Sequence, residues 1–402
     1  MGNYLYIFVM GLFMMAACSC SDGNDGIVPG DIDKLEPENP VPPQGTDWDD
    51  FADTGIEYDD GKNIVFHVKI AIDKESWDLR GENFFKSNLK KQFEEINTRF
   101  NGLDKKGMLK RNYIFIPDLE DIIVYDRADL PDMPWDAHAR VIETYPARID
   151  KQKFQVVVQY DCYIQPDEVG RGGGHGDNQG ISSILVISPG EDMVEKFKDV
   201  FTEEANTAAA ITHEFGHARG VVDTYLTRVS ANNNPIYPMG YEPEKGNMNN
   251  PYPKLENCEW SEYEMRVINY CGAKKQQYML HHCMNDLFPD YIEFTINDSK
   301  AAPKGYSMKI YKEDNYKIVS TPIHTFQIEG NLLRKSGHEI FWHGNVAWYY
   351  YNMVFIEVTN IATGKKGYTY LPAYIVHNQG LIDHENGVSK STYKCDIEIK
   401  NG

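Results

Sequence analysis

The residues of this 402-residue chain whose types and spacing suit chemistry are His213-Glu214-Phe215-Gly216-His217. On a helix, positions four apart share a face, so both imidazoles reach toward one metal ion. Glu214 sits beside them. A carboxylate that does not bind the metal can take a proton from a metal-activated water, so five residues supply two ligands and a base. Gly220 permits the positive φ with which a chain leaves a helix and turns back. That turn would bring Asp223 to the same ion as a third ligand.

Such a site needs a rigid frame, and the flanking sequence predicts one. Order is expected to begin at Asn63, where Ile64, Phe66, Val68, Ile70 and Ile72 alternate with His67 and Lys69 as in a strand with one core face. Phe85, Leu89, Phe93, Ile96 and Phe100 then recur at helical spacing, with Asn101-Gly102 as the stop. Tyr113 to Tyr125 and Phe154 to Tyr163 read as further strands, and the Pro-rich interval 131 to 146 as a loop over the sheet. The six glycines between 170 and 180 predict a mobile loop, with His175 as a plain loop histidine. Ile181 to Ile187 reads as a short edge strand, free to accept a peptide as an additional strand.

The helix that carries the histidines is expected to start after Thr202 as N-cap, with Glu203 and Glu204 in its first turn and Ala205, Ala208, Ala209 and Ala210 allowing close packing. After Asp223 an irregular stretch runs to about Leu255 and would form a cleft wall. Ser261 and Glu264 form a capping box that opens a final helix, with Tyr263, Val267 and Tyr270 on one face. From about Asp290 the runs Tyr291 to Asn297, Thr325 to Glu329, Val346 to Thr359, Tyr368 to Val376 and Tyr393 to Ile399 are β-like, separated by turns such as Thr363-Gly364-Lys365-Lys366. They predict an all-β, immunoglobulin-like sandwich, in which His338 and His343 are ordinary residues. The fold class expected is α+β: a twisted sheet with an active-site helix over residues 63 to 288, then the sandwich over 289 to 402.

The formal charge of -20 argues against nucleic acid as a partner, because phosphate binding needs a basic face. Residues 21 to 61 carry thirteen acidic side chains against Lys34 alone, with Pro37-Glu38-Asn39-Pro40-Val41-Pro42-Pro43 among them. Such a segment buries too little apolar surface to offset its ordering entropy and is expected to be a flexible tether, spanning 18 to 62. Residues 4 to 17 form an apolar run too short to span a bilayer comfortably but suited to a signal peptide, 1 to 17. Met15-Ala16-Ala17-Cys18 resembles a bacterial lipobox, which implies cleavage before Cys18 and acylation of its thiol. Ser21-Asp22-Gly23-Asn24-Asp25 resembles the acidic sorting stretch of lipoproteins displayed on some Gram-negative bacteria. Together these imply an exported outer-membrane or cell-surface lipoprotein, held to the membrane by its lipid alone. Of the later cysteines, Cys258, Cys271 and Cys283 are close enough in sequence for one disulfide; buried free thiols are the alternative, and Cys162 and Cys395 complete the odd set.

The run from His213 to Asp223 resembles the zinc signature of metzincin metalloproteases, in the snapalysin-like variant with Asp as third ligand. Asn250-Pro251-Tyr252-Pro253 also looks like that variant. The resemblance implies zinc held by His213, His217 and Asp223, Glu214 as general base, and a Met-turn under the metal at Met239, with Met248 second. In Tyr237-Pro238-Met239-Gly240-Tyr241 it makes Tyr241 an oxyanion-stabilising residue. It covers residues 211 to 253 in motif and 63 to 272 in the order of elements. The implied function is a monomeric zinc endopeptidase acting on extracellular protein or peptide. The competing zinc class takes a Glu ligand from a second helix; here the corresponding positions are Ile236 and Tyr237, and Glu242 and Glu244 flank Pro243. The rival function is a surface adhesion lipoprotein that uses a protease-like scaffold.

Overall fold

A computed structural model describes residues 58–130, 141–150, 153–162, 172–176, 182–187, 200–202, 205–273, 287–300, 302–341 and 353–399. The signal peptide, Cys18, most of the tether, Cys283 and His343 lie outside these residues. Among the described residues no helix is long and apolar enough to cross a membrane. The protein is a mixed α+β chain that forms two compact units. The first holds the described residues up to Arg219 with Pro251–Asn257 and residues 271–273; the second holds Gly220–Asn250, Cys258–Tyr270 and the described residues from 287 on.

The first unit is built on β2 (Asn63–Asp73). Order starts slightly earlier than the sequence predicts, because β1 (Tyr58–Asp59) already pairs antiparallel with Ile64 and Val65. β3 (Asn112–Pro117) and β4 (Ile123–Tyr125) pair parallel with successive stretches of β2, where one long strand was expected. Pro117 ends the first of them, as a residue that cannot donate to the ladder would. β5 (Val156–Asp161) pairs with β2, and β7 (Ser182–Ile187) with β5, both parallel.

Two expectations are corrected here. β2 has no single core face: residues directed to both sides of the sheet are buried along it, and Lys69 is 1% exposed. Its ammonium is compensated by Asp118 at 2.9 Å and Asp121 at 2.7 Å, as a buried charge must be. Nor is β7 an edge. The glycine run supplies β6 (Gly172–Gly176), which pairs antiparallel with β7 and takes the edge position among the described residues. Low strand propensity hid that strand, since glycine is disfavoured in strands until neighbouring backbone fixes it.

α1 (Lys74–Arg80) is capped by Asp73, which accepts from Ser76 N. α2 (Glu82–Gly102) buries Phe85, Leu89, Phe93, Ile96 and Phe100, the face that the spacing predicts.

In the second unit, β8 (Tyr291–Asn297), β12 (Leu332–Ser336) and β15 (Thr392–Glu398) make a three-stranded sheet in which β15 runs parallel to β8. β9 (Tyr306–Asp314), β10 (Lys317–Ile318), β11 (His324–Ile328), β13 (Met353–Asn360) and β14 (Lys366–Pro372) make an antiparallel five-stranded one. The all-β expectation for 289 to 402 does not hold. Past Pro372 the chain turns helical over Ala373–Glu385, burying Ala373, Tyr374, Val376, His377, Gly380 and Leu381. A β-carbon at Gly380 would collide with the Leu287 carbonyl, so a helix passes where only glycine fits. That close approach replaces an apolar side chain with a glycine and masks the helical period. His338 lies in the short helix Gly337–Phe341. Cys162, Cys258, Cys271 and Cys395 are buried thiols outside any disulfide among the described residues, the alternative that the sequence left open.

The capping box is present as expected. After α3 (Thr207–Ala218), α4 (Glu262–Cys271) opens with Ser261 N donating to Glu264 Oε2 at 2.7 Å and Glu264 N donating to Ser261 Oγ at 3.2 Å. Glu264 is fully buried, and burial pushes its carboxyl up to about 7 while N–H groups of Ser261, Met248 and Asn247 pull the other way.

Candidate metal centre

α3 begins four residues later than the N-cap at Thr202 would place it. Thr202 Oγ1 does accept from Ala205 N, at 3.3 Å, but that closes a separate turn. Asn206 then takes φ 51°, the left-handed conformation that asparagine tolerates, and regular helix starts at Thr207. Glu203 and Glu204 lie outside the described residues. The inner face of α3 is fixed by aromatics: Phe215 stacks on Phe115 at 3.9 Å between centroids and meets Phe93 at 6.3 Å. A buried aromatic of this kind contributes about 1.5–3 kcal/mol through its area alone, and here it also sets the rotation of the helix. With Ile211 and Phe215 turned into the core, His213 and His217 share another face, their rings 4.9 Å apart and edge-on at 86°.

The helix stops at Arg219, whose guanidinium is buried over the Phe66 ring at 4.1 Å and donates through Nη1 to the Gly272 carbonyl at 2.9 Å. Gly220 takes φ +82°, as the sequence requires for a return. Replacing it with Ala would place a β-carbon in the left-handed region at a cost of roughly 1–2 kcal/mol. Urea unfolding of Gly220→Ala is expected to show that loss, and an unchanged midpoint would contradict the strain. Val221 and Val222 are buried and carry the chain to Asp223, 2% exposed.

One imidazole nitrogen each from His213 and His217 and one carboxylate oxygen of Asp223 all lie within 4.8 Å of one another. Small side-chain rotations bring such atoms within the roughly 2 Å reach of one transition-metal ion. Two imidazole nitrogens and a carboxylate oxygen are donors that a divalent transition-metal ion accepts. Glu214, on the same turn of α3, is half-buried and stands outside the donor trio.

Tyr225 escaped sequence reasoning. Its hydroxyl donates to Asp223 Oδ2 at 3.0 Å, and nothing in a bare Asp-Thr-Tyr triplet signals that. Tyr225 N in turn donates to the Met248 carbonyl at 3.4 Å, and Met248 is fully buried. Met239, the first choice for the floor, packs with Val229, Tyr311, Phe355 and Tyr370, and its carbonyl accepts from the Tyr370 hydroxyl at 2.6 Å. Tyr241 points its hydroxyl at Tyr374, 2.8 Å away, and burial raises its pKa. Glu242 is exposed and ion-paired with Arg228 at 2.8 Å. Neither the side chain of His175 nor that of His338 is among the described ones.

No protein-family model matches the chain, and no curated protein matches it. Among solved structures it is similar to a chain in the structure of a chaperone-substrate complex, at 14% identity and a TM-score of 0.30, over 55% of this chain and 36% of that one. It is also similar to wild-type OgpA from Akkermansia muciniphila, at 12% identity and a TM-score of 0.29, over 77% of this chain and 92% of that one. At those TM-scores neither likeness bears on the fold or the chemistry.

Proposed function

We propose that this chain is a zinc-dependent endopeptidase of the metzincin type. The observation that carries the reading is the convergence of His213, His217 and Asp223 donor atoms within 4.8 Å, with Glu214 on the same helical turn as the histidines. When bound, zinc supplies the Lewis acidity that makes water nucleophilic at neutral pH and polarises a scissile carbonyl. Glu214 accepts the proton of the attacking water and delivers it to the leaving amine. Tyr225 holds the Asp223 carboxylate through its hydroxyl, so one ligand oxygen is oriented before any metal arrives.

A polypeptide substrate would add to the outer side of β6, which among the described residues has a strand neighbour on one side only. This replaces β7 as the binding edge. Met248 has better support than Met239 as the methionine beside the metal, because its backbone bonds to Tyr225 and through it reaches Asp223. Tyr241 has less support as an oxyanion donor, since its hydroxyl is engaged by Tyr374. Lipidation at Cys18 and display on the cell surface remain part of the proposal and rest on the lipobox-like residues alone.

The test is metal content with cleavage-site profiling. The full chain should bind one zinc, cut a proteome-derived peptide library, lose that activity to a chelator and regain it with added zinc. Absence of zinc binding at micromolar concentration would favour the surface-binding scaffold instead. Stoichiometric zinc with no peptide cut would point to a different hydrolase.

A further inference from the structure

Glu264 makes more contacts than a capping box uses. In such a box the carboxylate accepts from the N-cap N–H alone. Here Oε2 accepts from Ser261 N at 2.7 Å and also from Asn247 N at 3.2 Å, while Oε1 accepts from Met248 N at 2.8 Å. Glu264 is 0% exposed, and among the described residues no Lys or Arg pairs with it. Gly246 is shaped to it: a β-carbon there would occupy the place of the carboxylate. Burying a lone carboxylate costs several kcal/mol unless N–H groups compensate it, so the residues 246 to 248 are folded around this group.

What those residues hold next gives the arrangement its meaning. The Met248 carbonyl accepts from Tyr225 N at 3.4 Å, and the Tyr225 hydroxyl donates to Asp223 Oδ2 at 3.0 Å. A continuous line of hydrogen bonds therefore runs from the buried carboxylate of α4 through Met248 and Tyr225 to the third donor of the metal group. We propose that Glu264 is a positioning residue of the metal centre, acting through Met248 and Tyr225 to fix the Asp223 carboxylate. The inference rests on the metal reading above and adds a distant anchor to it. Partners one step removed from a metal typically change affinity by about 10–100-fold when lost, and Glu264 should act at the lower end of that range because two links intervene.

The test uses cobalt(II) as the probe in the full chain, with affinity measured by chelator competition and ligand geometry by visible absorption. Glu264→Gln places an amide donor against backbone N–H groups and should weaken cobalt binding by about 10-fold and alter the absorption spectrum. Tyr225→Phe removes only the last link and should do the same. Since both break one line, the double variant should be no weaker than the worse single one. A Glu264 that merely stabilises α4 would lower the thermal midpoint yet leave affinity and spectrum unchanged in the folded range, and that result overturns the proposal. So does a double variant whose loss is the product of the two single losses. If Glu264→Gln does not fold, Gly246→Ala takes its place, since it displaces the carboxylate without removing it, and wild-type affinity and spectrum there or in Tyr225→Phe overturn the proposal equally. A wild-type chain that binds no cobalt or zinc overturns the metal reading, and this one with it.

Discussion

Glu214→Ala is expected to keep one zinc per chain and to lose peptide-bond cleavage by a factor on the order of 10³, about 4 kcal/mol of transition-state stabilisation. The two halves of that expectation come from different observations. Metal retention follows because the donor trio is His213, His217 and Asp223, with Glu214 outside it. Loss of rate follows because α3 holds the Glu214 carboxylate on the turn that carries both imidazoles, and Phe215 stacked on Phe115 prevents the helix from rotating to offer another base. Asp223→Ala should reverse the pattern, with metal lost first and rate lost as a consequence. Zinc content measured beside hydrolysis of a fluorogenic peptide at saturating zinc separates the two variants. Unchanged cleavage in a zinc-loaded Glu214→Ala protein would remove Glu214 from the mechanism.

The contrast between these residues and the rest of the site shows what a sequence carries. The approach of His213, His217 and Asp223 is legible because local geometry brings it about: a helical turn between the two imidazoles, then a left-handed residue, Gly220 at φ +82°, to reverse the chain. The period of α2 and the Ser261–Glu264 capping box are legible for the same reason. What could not be read depends on partners distant in sequence. Lys69 looks like a solvent-facing residue until Asp118 and Asp121, about fifty positions away, fold over it. Gly172–Gly176 looks like a loop until β7 fixes it as a strand. Glu264 declares its cap and conceals its bonds to Asn247 and Met248, and the Tyr225 bond to Asp223 has no periodic signature at all.

A cut after residue 288, where the sequence changes texture, is expected to cost the metal site as well as the C-terminal sheets. Gly220–Asn250, the stretch that contains Asp223, belongs to the same compact unit as the C-terminal part. Val229, Ile236, Tyr237, Met239 and Tyr241 pack against Tyr311, Ile318, Met353, Phe355 and Tyr370. Asn234 Nδ2 donates to the Tyr370 hydroxyl at 2.8 Å, and that hydroxyl donates onward to the Met239 carbonyl. The Tyr374 hydroxyl faces that of Tyr241, and Tyr263 on α4 meets His377 Nδ1 at 3.3 Å. Each apolar side chain returned to water costs about 1.5–3 kcal/mol, so losing this cluster exceeds what a fold stabilised by roughly 5–15 kcal/mol can absorb. With Tyr225 and Met248 no longer held, Asp223 would stay tethered to α3 by sequence but would lose its orientation. A fragment of residues 58 to 288 should therefore be recovered unfolded, or bind zinc at least about 10-fold more weakly than the full chain. Equilibrium dialysis against zinc, with circular dichroism of the same sample, decides it: a folded fragment with full affinity would show that the C-terminal part is an appendage after all.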